Sequence, residues 1–268
     1  MSAKEWVIGI HAVAEVLNTN PQDVVELLIQ QERSDQRVDA IRQAAAEVGI
    51  TATEVQKSTL EKRLQGAAGR RDRRSPGPAG ARKVPVHQGV AALCQWRDTT
   101  RDEAFLMHLL DDLPHPPLLL VLDEITDPHN LGACLRTADA AGADAVIVPK
   151  DNSAALNMTV RKVAVGAAEK VNLVSVTNLS RTLAALQQRG VWIVGAAGEA
   201  SQSLYQTDLT GPVALALGSE GKGLRRLTRE HCDYLASIPM AGAVSSLNVS
   251  VATGICLFEA VRQRLMMR

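Results

Sequence analysis

Three segments in the second half of the chain carry side chains that could bind and polarise a substrate. The first, DPHNLGACLRTADAAG at 127–142, opens with an Asp-Pro helix start and contains Asn130 and Arg136. An amide can orient a hydroxyl group, and a guanidinium can clamp a phosphate or stabilise developing negative charge. The two residues are six positions apart and do not stack on one helix face. By spacing alone, Arg136 is interpreted as a surface or salt-bridged arginine.

The second segment is ALGSEGKGL at 216–224, where an apolar strand runs into three glycines that surround Glu220. Glycines permit positive φ and let a ligand approach the backbone closely. A phosphate loop would need Ser or Thr after the lysine, but Lys222 is followed by Gly223, and the dinucleotide fingerprint is also absent. These departures argue against an NTPase or a dinucleotide enzyme. An ordinary glycine-rich connection remains the alternative.

The third segment is IPMAGAVSSLNVSVATGICLFEA at 238–260, in which a predicted strand leads through a loop into the last helix. Ser245 or Ser246 can cap that helix. Asn248 is a polar side chain at its buried start. It contacts a ligand or is a structural asparagine whose hydrogen bonds are satisfied within the protein.

Alternating strands and helices position these segments. From Leu118 onward the predicted strands are 118–122, 145–149, 171–176, 191–196, 213–217 and 235–238, with a closing helix from about Leu247. Their continuous apolar character predicts a parallel sheet covered on both faces, in an α/β domain.

The N-terminal part predicts a smaller α/β domain. Its predicted strands are 6–10, 23–29, 50–55 and 84–93, and its predicted helices are 11–17, 35–48 and 58–64. Residues 94–116 are interpreted as a linker with a short helix at 103–110, broken by prolines. The expected organisation is therefore a first domain at 1–93, a linker at 94–116 and a second α/β domain at 117–268.

A strongly basic segment, GAAGRRDRRSPGPAGARK at 66–83, interrupts the first domain. Its cations are Arg70, Arg71, Arg73, Arg74, Arg82 and Lys83, against Asp72 alone. The segment lacks the apolar periodicity needed to fold by itself. We interpret it as a flexible loop that contacts RNA phosphates, with a merely solvated loop as the alternative.

Overall composition is that of an ordinary globular protein, with 46% hydrophobic residues and 29 basic against 29 acidic side chains. The balance excludes a wholly basic nucleic-acid protein but not a local basic patch. The four cysteines form no C-x-x-C pair and lack zinc-ligand spacing, so we expect reduced core thiols and no metal site. No apolar run reaches membrane-spanning length, and we expect a soluble cytoplasmic protein.

Together the motifs resemble the SpoU branch of the SPOUT RNA methyltransferases. The matching patterns are N-x-G-x-x-x-R-T from Asn130, G-x-E-G-x-G from Gly218 and I-P-M-x-G-x-V-x-S-L-N-V-S-V-A from Ile238. The resemblance covers roughly residues 118–268, and strings such as GIHAV extend it to members that act on large-subunit ribosomal RNA. The basic segment looks longer than the family pattern.

This resemblance implies a SPOUT-type α/β domain with a trefoil knot, preceded by a small ribosomal-protein-like (L30e-like) RNA-binding domain. It also implies a homodimer that uses S-adenosyl-L-methionine. The implied reaction is 2′-O-methylation of a guanosine in the peptidyl-transferase P loop of 23S rRNA, with free rRNA or a large-subunit assembly particle as partner. A tRNA 2′-O-methyltransferase and a non-catalytic RNA-binding assembly protein are the alternatives.

The same resemblance assigns roles to individual residues. The cofactor would lie against Gly198, Leu217, Gly218, Ile238, Met240 and Leu247. Arg136 would be the central catalytic residue, supported by Asn130, Glu220 and Asn248, and Ser246 would join the basic segment in contacting RNA. A guanidinium is a poor base, so we expect Arg136 to stabilise the developing alkoxide or clamp the neighbouring phosphate.

Overall fold

The computed structural model describes residues 3–31, 35–68, 87–96, 98–244 and 246–267. The chain divides into two compact units, Met1–Asp98 and Thr99–Arg268. Residues 94–116, interpreted above as a linker, are shared between them. Cys94 and Trp96 lie in the last strand of the first unit, whereas the helix at Glu103–Asp112 belongs to the second.

The first unit is a four-stranded sheet with helices. Its elements are β1 (Ala3–Ile8), α1 (Ile10–Thr19), a 3₁₀ turn (Pro21–Asp23), β2 (Val24–Gln30), α2 (Gln36–Glu47), β3 (Ala52–Val55), α3 (Lys57–Ala68) and β4 (Val90–Trp96). The strand order is β1-β4-β2-β3, with β4 antiparallel to both neighbours and β2 parallel to β3. Strands β1, β2 and β3 therefore all end at the same edge of the sheet.

Strand β4 starts later than the predicted 84–93. Gln88 and Gly89 have φ values of 49° and 77°, so the chain makes a left-handed turn there and enters the sheet only at Val90. On one face of the sheet, Leu28 and Ala91 pack with Leu60 and Leu64 of α3.

The second unit is a seven-stranded sheet with helices on both faces. After α4 (Glu103–Asp112) come β5 (Leu118–Asp123), α5 (Pro128–Ala141), β6 (Ala145–Pro149), α6 (Met158–Ala164), α7 (Ala167–Lys170), β7 (Leu173–Val176), α8 (Leu179–Gln188), β8 (Trp192–Ala196), β9 (Gln202–Ser203), β10 (Val213–Gly218), α9 (Arg226–Glu230), β11 (Tyr234–Ser237) and α10 (Val249–Met266). The order is β7-β6-β5-β10-β8-β11-β9, and every pairing is parallel. The predicted parallel α/β sheet is confirmed, and the knot stays a prediction.

Two apolar layers cover this sheet. Along β5, Leu118, Leu120 and Leu122 face the layer that contains α5 and α10, and Leu119 and Val121 face the opposite layer. Leu106 of α4 is fully buried in that opposite layer. Burial of such a leucine contributes about 1.5–3 kcal/mol, so α4 is part of the second unit's core.

The strand order creates a reversal next to β5. The chain first builds outward through β6 and β7 and then places β8, β10 and β11 on the other side of β5. In a parallel α/β sheet, the crevice outside the carboxyl ends of the strands at such a reversal is the usual ligand site. The carboxyl ends of β5 and β10 lie side by side here, with Asp123 in register with Gly218.

Helix α10 is anchored at its C-terminal end. The Arg264 guanidinium donates to the carbonyls of Pro116 and Pro117 at 2.9 Å each and of Gly211 at 2.7 Å. These carbonyls lie just before β5 and β10 in the sequence. The contacts fix α10 against the sheet. No helix in the described parts of the chain is long and apolar enough to cross a membrane.

Candidate functional site

The glycine-rich loop after β10 folds tightly onto the strand end. A Cβ atom at Gly218 would lie 2.0 Å from the carbonyl carbon of Gly223 and 2.2 Å from the backbone nitrogen of Leu224. The loop closes through a 2.8 Å hydrogen bond from the Gly223 N–H to the Ser219 carbonyl, and Gly221 and Gly223 adopt φ values of 77° and 66°. Only glycine satisfies the contact at position 218.

An ion pair between a buried carboxylate and a partly exposed arginine holds the far end of this loop. The Asp123 carboxylate, fully buried at the end of β5, accepts hydrogen bonds from the Arg225 backbone N–H at 3.0 Å and Nε at 2.7 Å. The Arg225 Nη2 lies 2.6 Å from the same carboxylate. Because a buried charge is costly unless paired and hydrogen-bonded, this geometry fixes the loop that carries Glu220. This pair was not predicted from the sequence. A charged residue at the end of an apolar strand, as Asp123 is, does indicate a buried carboxylate that needs a partner.

Glu220 lies in a cluster with two asparagine amides. The Asn130 Nδ2 donates to Glu220 Oε1 at 3.3 Å, and the Asn248 Nδ2 donates to Asn130 Oδ1 at 2.9 Å. The Asn248 amide also donates to Glu220 Oε1. Residues from α5, from the loop after β10 and from the start of α10 thus converge on one carboxylate. The sequence alone did not show that these segments touch.

Helix caps set the orientation of this cluster. Asn248 is the N-cap of α10, and its Oδ1 accepts from the Ser250 N–H at 2.9 Å and the Ser250 hydroxyl at 2.5 Å. Since Oδ1 is engaged by the helix, the Nδ2 group is left to face Glu220. Asp127 caps α5 in the same manner, accepting from the His129 N–H at 3.1 Å.

A cavity of about 600 Å³ opens beside the cluster, at the carboxyl ends of β8, β10 and β11. It is lined by all six predicted cofactor residues, Gly198, Leu217, Gly218, Ile238, Met240 and Leu247, and also by Glu220 and Ser246. Val249 and Ala252 of α10 contribute further apolar surface. The wall combines apolar side chains with exposed backbone, which suits a ligand that has a flat apolar part and a polar part.

Three charged residues on the cavity wall were missed. Arg229 of α9 forms an ion pair with Glu199, and Lys222 lies in the glycine loop. The hydrogen bond from Arg229 lowers the pKa of the Glu199 carboxyl, so this carboxylate is ionised at neutral pH. No local sequence pattern distinguished these residues from ordinary surface charges.

Arg136 stands apart from the cavity wall. It lies on the exposed face of α5 and makes no hydrogen bond or ion pair with any described residue. It lies six positions after Asn130 along the helix, a rise of about 9 Å. Its guanidinium is therefore available to an external anion. The six basic residues Arg70, Arg71, Arg73, Arg74, Arg82 and Lys83 lie outside the described residues.

The cysteines are not poised for nucleophilic chemistry. Burial raises the pKa of the Cys134 and Cys232 thiols to about 11 and that of Cys94 and Cys256 to about 12. All four are unpaired and protonated at neutral pH. Among the described residues, no group of three or more His, Cys, Asp or Glu side chains is arranged to hold a metal ion.

Two family models match the chain. Residues 117–258 match the SpoU rRNA Methylase family. Residues 6–68 match the family described as RNA 2′-O ribose methyltransferase substrate binding. The first match contains the glycine loop, the cavity and the amide–carboxylate cluster, and the second lies within the first compact unit.

Curated relatives are similar over the full length. The chain is 52% identical over 268 residues to the 23S rRNA (guanosine-2′-O-)-methyltransferase RlmB of Pseudomonas putida, covering 100% of both chains. It is 54% identical over 264 residues to the enzyme of the same name from Pseudomonas aeruginosa, covering 98% of each. Among solved structures, it is similar to an AdoMet-bound rRNA methyltransferase from Sinorhizobium meliloti, with a TM-score of 0.59, 25% identity and coverage of 97% and 87%.

Proposed function

The chain belongs to the SpoU rRNA methylase family, and we propose that it transfers the methyl group of S-adenosyl-L-methionine to the ribose 2′-oxygen of a guanosine in 23S rRNA. The observation that carries the proposal is the convergence of Asn130, Glu220 and Asn248 beside the cavity after β10. Full-length identity of 52% to a 23S rRNA guanosine methyltransferase supports the substrate.

The cavity fits the cofactor. Gly218 lets the loop backbone fold directly onto the end of β10, and the loop from Gly218 to Leu224 lines the cavity. Leu217, Ile238 and Leu247 supply apolar surface for an adenine ring. The Glu199 carboxylate and the glycine-loop backbone are polar partners for a ribose and an amino-acid group.

The cofactor, when bound, supplies an electrophilic sulfonium methyl carbon. The protein's part is to hold the ribose oxygen in line with that carbon, and such positioning contributes up to about 7–11 kcal/mol. In our proposal Glu220, held by the two asparagine amides, orients the reacting groups. Arg136, a permanent cation on the exposed face of α5, stabilises the 2′-oxygen as the hydroxyl proton passes to solvent, or clamps the adjacent phosphate.

We assign the target nucleotide to the P loop of the peptidyl-transferase centre. The substrate would be free 23S rRNA or a large-subunit assembly particle that presents this guanosine. Since the substrate is ribosomal RNA, we place the enzyme in the cytoplasm. The basic segment at 66–83 would grip the RNA phosphates, together with Ser246 at the cavity.

We further propose a homodimer that uses α10. Val251, Phe258 and Leu265 are spaced seven residues apart on this helix and are 50%, 47% and 61% exposed. An exposed apolar stripe of this kind marks an interaction surface. Phe258→Glu should yield monomers by light scattering, whereas Leu227→Glu, which changes an equally exposed leucine of α9, should not. Monomeric wild-type protein would contradict the proposal.

The test of the function is to map 2′-O-methyl groups on RNA from cells with and without the protein. A single 23S guanosine should lose its methyl group in the deletion strain and regain it with the wild-type gene but not with Arg136→Ala. Loss of a tRNA methyl group instead would favour the tRNA enzyme. An unchanged methylation map would favour the non-catalytic assembly protein.

A further inference from the structure

The first unit has a polar cleft of its own. Its volume is about 550 Å³, and it lies where β2 and β3 end and α3 begins. The lining residues are Gln30, Gln31, Gln56, Lys57, Ser58 and Glu61. Gln30 is in register with Val55, and the Gln31 N–H donates to the Val55 carbonyl at 2.8 Å, so the two strand ends form one continuous wall.

Four of the six side chains that line this cleft form no hydrogen bond within the described parts of the protein. No described residue accepts from or donates to the side chains of Gln30, Gln31, Gln56 or Ser58. Each glutamine amide offers two N–H donors and one carbonyl acceptor at adjacent positions. Donors and acceptors in this arrangement match the edge of a nucleobase, which an amide binds in bidentate fashion.

Charge does not dominate the cleft. Lys57 and Glu61 cancel, lying 3.9 Å apart, and His87 Nε2 lies 3.8 Å from the same Glu61 carboxylate. The Gly89 N–H donates to His87 Nδ1 at 3.0 Å. The ring N–H of this histidine is therefore on Nε2, the nitrogen that faces Glu61. A phosphate site would need uncompensated cations, so the neutral lining favours a base over the backbone of a nucleic acid.

We propose that this cleft binds one unstacked nucleobase of the RNA substrate, with Gln30 and Gln56 hydrogen-bonding to its edge. The inference rests on the proposed function, since it takes RNA as the ligand. Specific RNA recognition commonly uses bases splayed out of single-stranded loops. The cleft would give the first unit selectivity for a loop, which a contact to phosphates alone cannot supply.

The test compares two RNA probes bound by the full-length protein. One is a 23S rRNA hairpin that contains the P loop, and the other is a duplex of equal length in which the loop is closed by pairing. Gln30→Ala/Gln56→Ala should weaken hairpin binding about tenfold and leave duplex binding unchanged. The slope of log affinity against log salt should stay constant, because amides release no counterions.

Gln22→Ala is the matched control, because Gln22 is an exposed glutamine just before the start of β2, away from the edge where the strands end. The single variant Gln56→Ala, at an exposed position, guards against misfolding of the double variant. Hairpin affinity equal to that of Gln22→Ala would overturn the site, and so would an equal loss for both probes. Failure of the proposed function is measured separately, as absence of methyl transfer to the hairpin by wild-type protein.

Discussion

At the scale of single residues, the site depends on directed hydrogen bonds to one carboxylate. Asn248 has a double task, because its oxygen caps α10 and its nitrogen donates to Glu220. Asn130 accepts from one partner and donates to the other. The orientation of each amide is thus fixed by its neighbours. Replacing one group should therefore disturb the others.

Arg136→Ala should lower the rate of methyl transfer about 10²–10³-fold, the typical cost of removing one hydrogen-bond donor to the developing oxyanion. Binding of S-adenosyl-L-methionine should stay near the wild-type value, since Arg136 does not line the cavity. Single-turnover kinetics and calorimetry measure the two quantities. Arg226→Ala, at an exposed arginine of α9, is the control. Activity within a few-fold of wild type would remove Arg136 from the mechanism.

Asn248→Asp should separate the capping task from the contact with Glu220. Aspartate keeps the oxygen that accepts from Ser250. It lacks the amide that donates to Glu220 and places a second carboxylate beside this glutamate. Loss of a charge-assisted hydrogen bond costs about 1.5–3 kcal/mol, so activity at pH 8 should fall roughly 10–100-fold.

The loss of activity in Asn248→Asp should become smaller as the pH falls. Two adjacent carboxylates raise the pKa of one of them, so the repulsion is complete above that raised pKa and disappears once a proton is shared. The ratio of wild-type to variant rates between pH 8 and 5.5 measures the effect. Asn157→Asp makes the same change at the N-cap of α6 and should leave activity intact. A ratio independent of pH would contradict the assignment.

Local sequence singled out the glycine loop and the two asparagines as candidates but did not predict their contacts. The glycine loop and the asparagines stand out by type and spacing, because positive φ, close approach and capping are local requirements. The Asp123–Arg225 pair joins residues 102 positions apart, and the Asn130–Asn248 bond joins residues 118 apart. Such pairings are decided by the order of strands in the sheet, which hydrophobic periodicity does not encode.

At the scale of elements, the predicted strands correspond to β5, β6, β7, β8, β10 and β11 because each is a short, mainly apolar run. Strand β9 is only two residues long and gives no periodic signal. Helices α6 and α7 are short and separated by Val165 and Gly166 in left-handed conformations, so no extended amphipathic pattern forms there. Helix α10 begins at Val249, close to the predicted start at Leu247.

Gly218→Ala should disable the loop after β10 as a unit. The added methyl would collide with backbone atoms of Gly223 and Leu224, which cannot move as a flexible side chain would. Overpacking of this kind lowers the free energy of unfolding by about 1–3 kcal/mol. It should also abolish detectable cofactor binding, because the loop forms the cavity wall.

Thermal unfolding and calorimetry measure both consequences of this substitution. Gly211→Ala is the matched control, since no heavy atom of a described residue other than its two chain neighbours lies within 4 Å of the position that its added methyl would occupy. Wild-type cofactor affinity in Gly218→Ala would show that the close approach of the loop is not required for the pocket.

At the scale of the whole molecule, charged residues are unevenly distributed along the chain. The overall charge is balanced at 29 basic and 29 acidic residues, yet six cations and one aspartate occupy positions 70–83. The cleft of the first unit, by contrast, has a neutral lining. A neutral cleft and a cationic segment should contribute to RNA binding in different ways, the first by selectivity and the second by salt-dependent affinity.

Replacing Arg70, Arg71, Arg73 and Arg74 together with serine should weaken RNA binding at low salt and flatten its salt dependence. Each phosphate contact adds about 0.9 to the slope of log affinity against log salt for a duplex and about 0.7 for a single strand. Loss of four contacts should thus reduce the slope by roughly 3. Turnover at saturating RNA should stay near normal, because no proposed catalytic residue lies in the segment.

A matched quadruple variant isolates the effect of position from that of total charge. Arg37, Arg63, Arg181 and Arg226 are exposed arginines elsewhere in the chain, and their replacement by serine removes the same four charges. Because the electrostatic contribution comes from counterions released at contacted phosphates, this control should change the salt slope much less. Equal slopes for wild type and the Arg70–Arg74 variant would show that the basic segment does not touch RNA and is a solvated insertion.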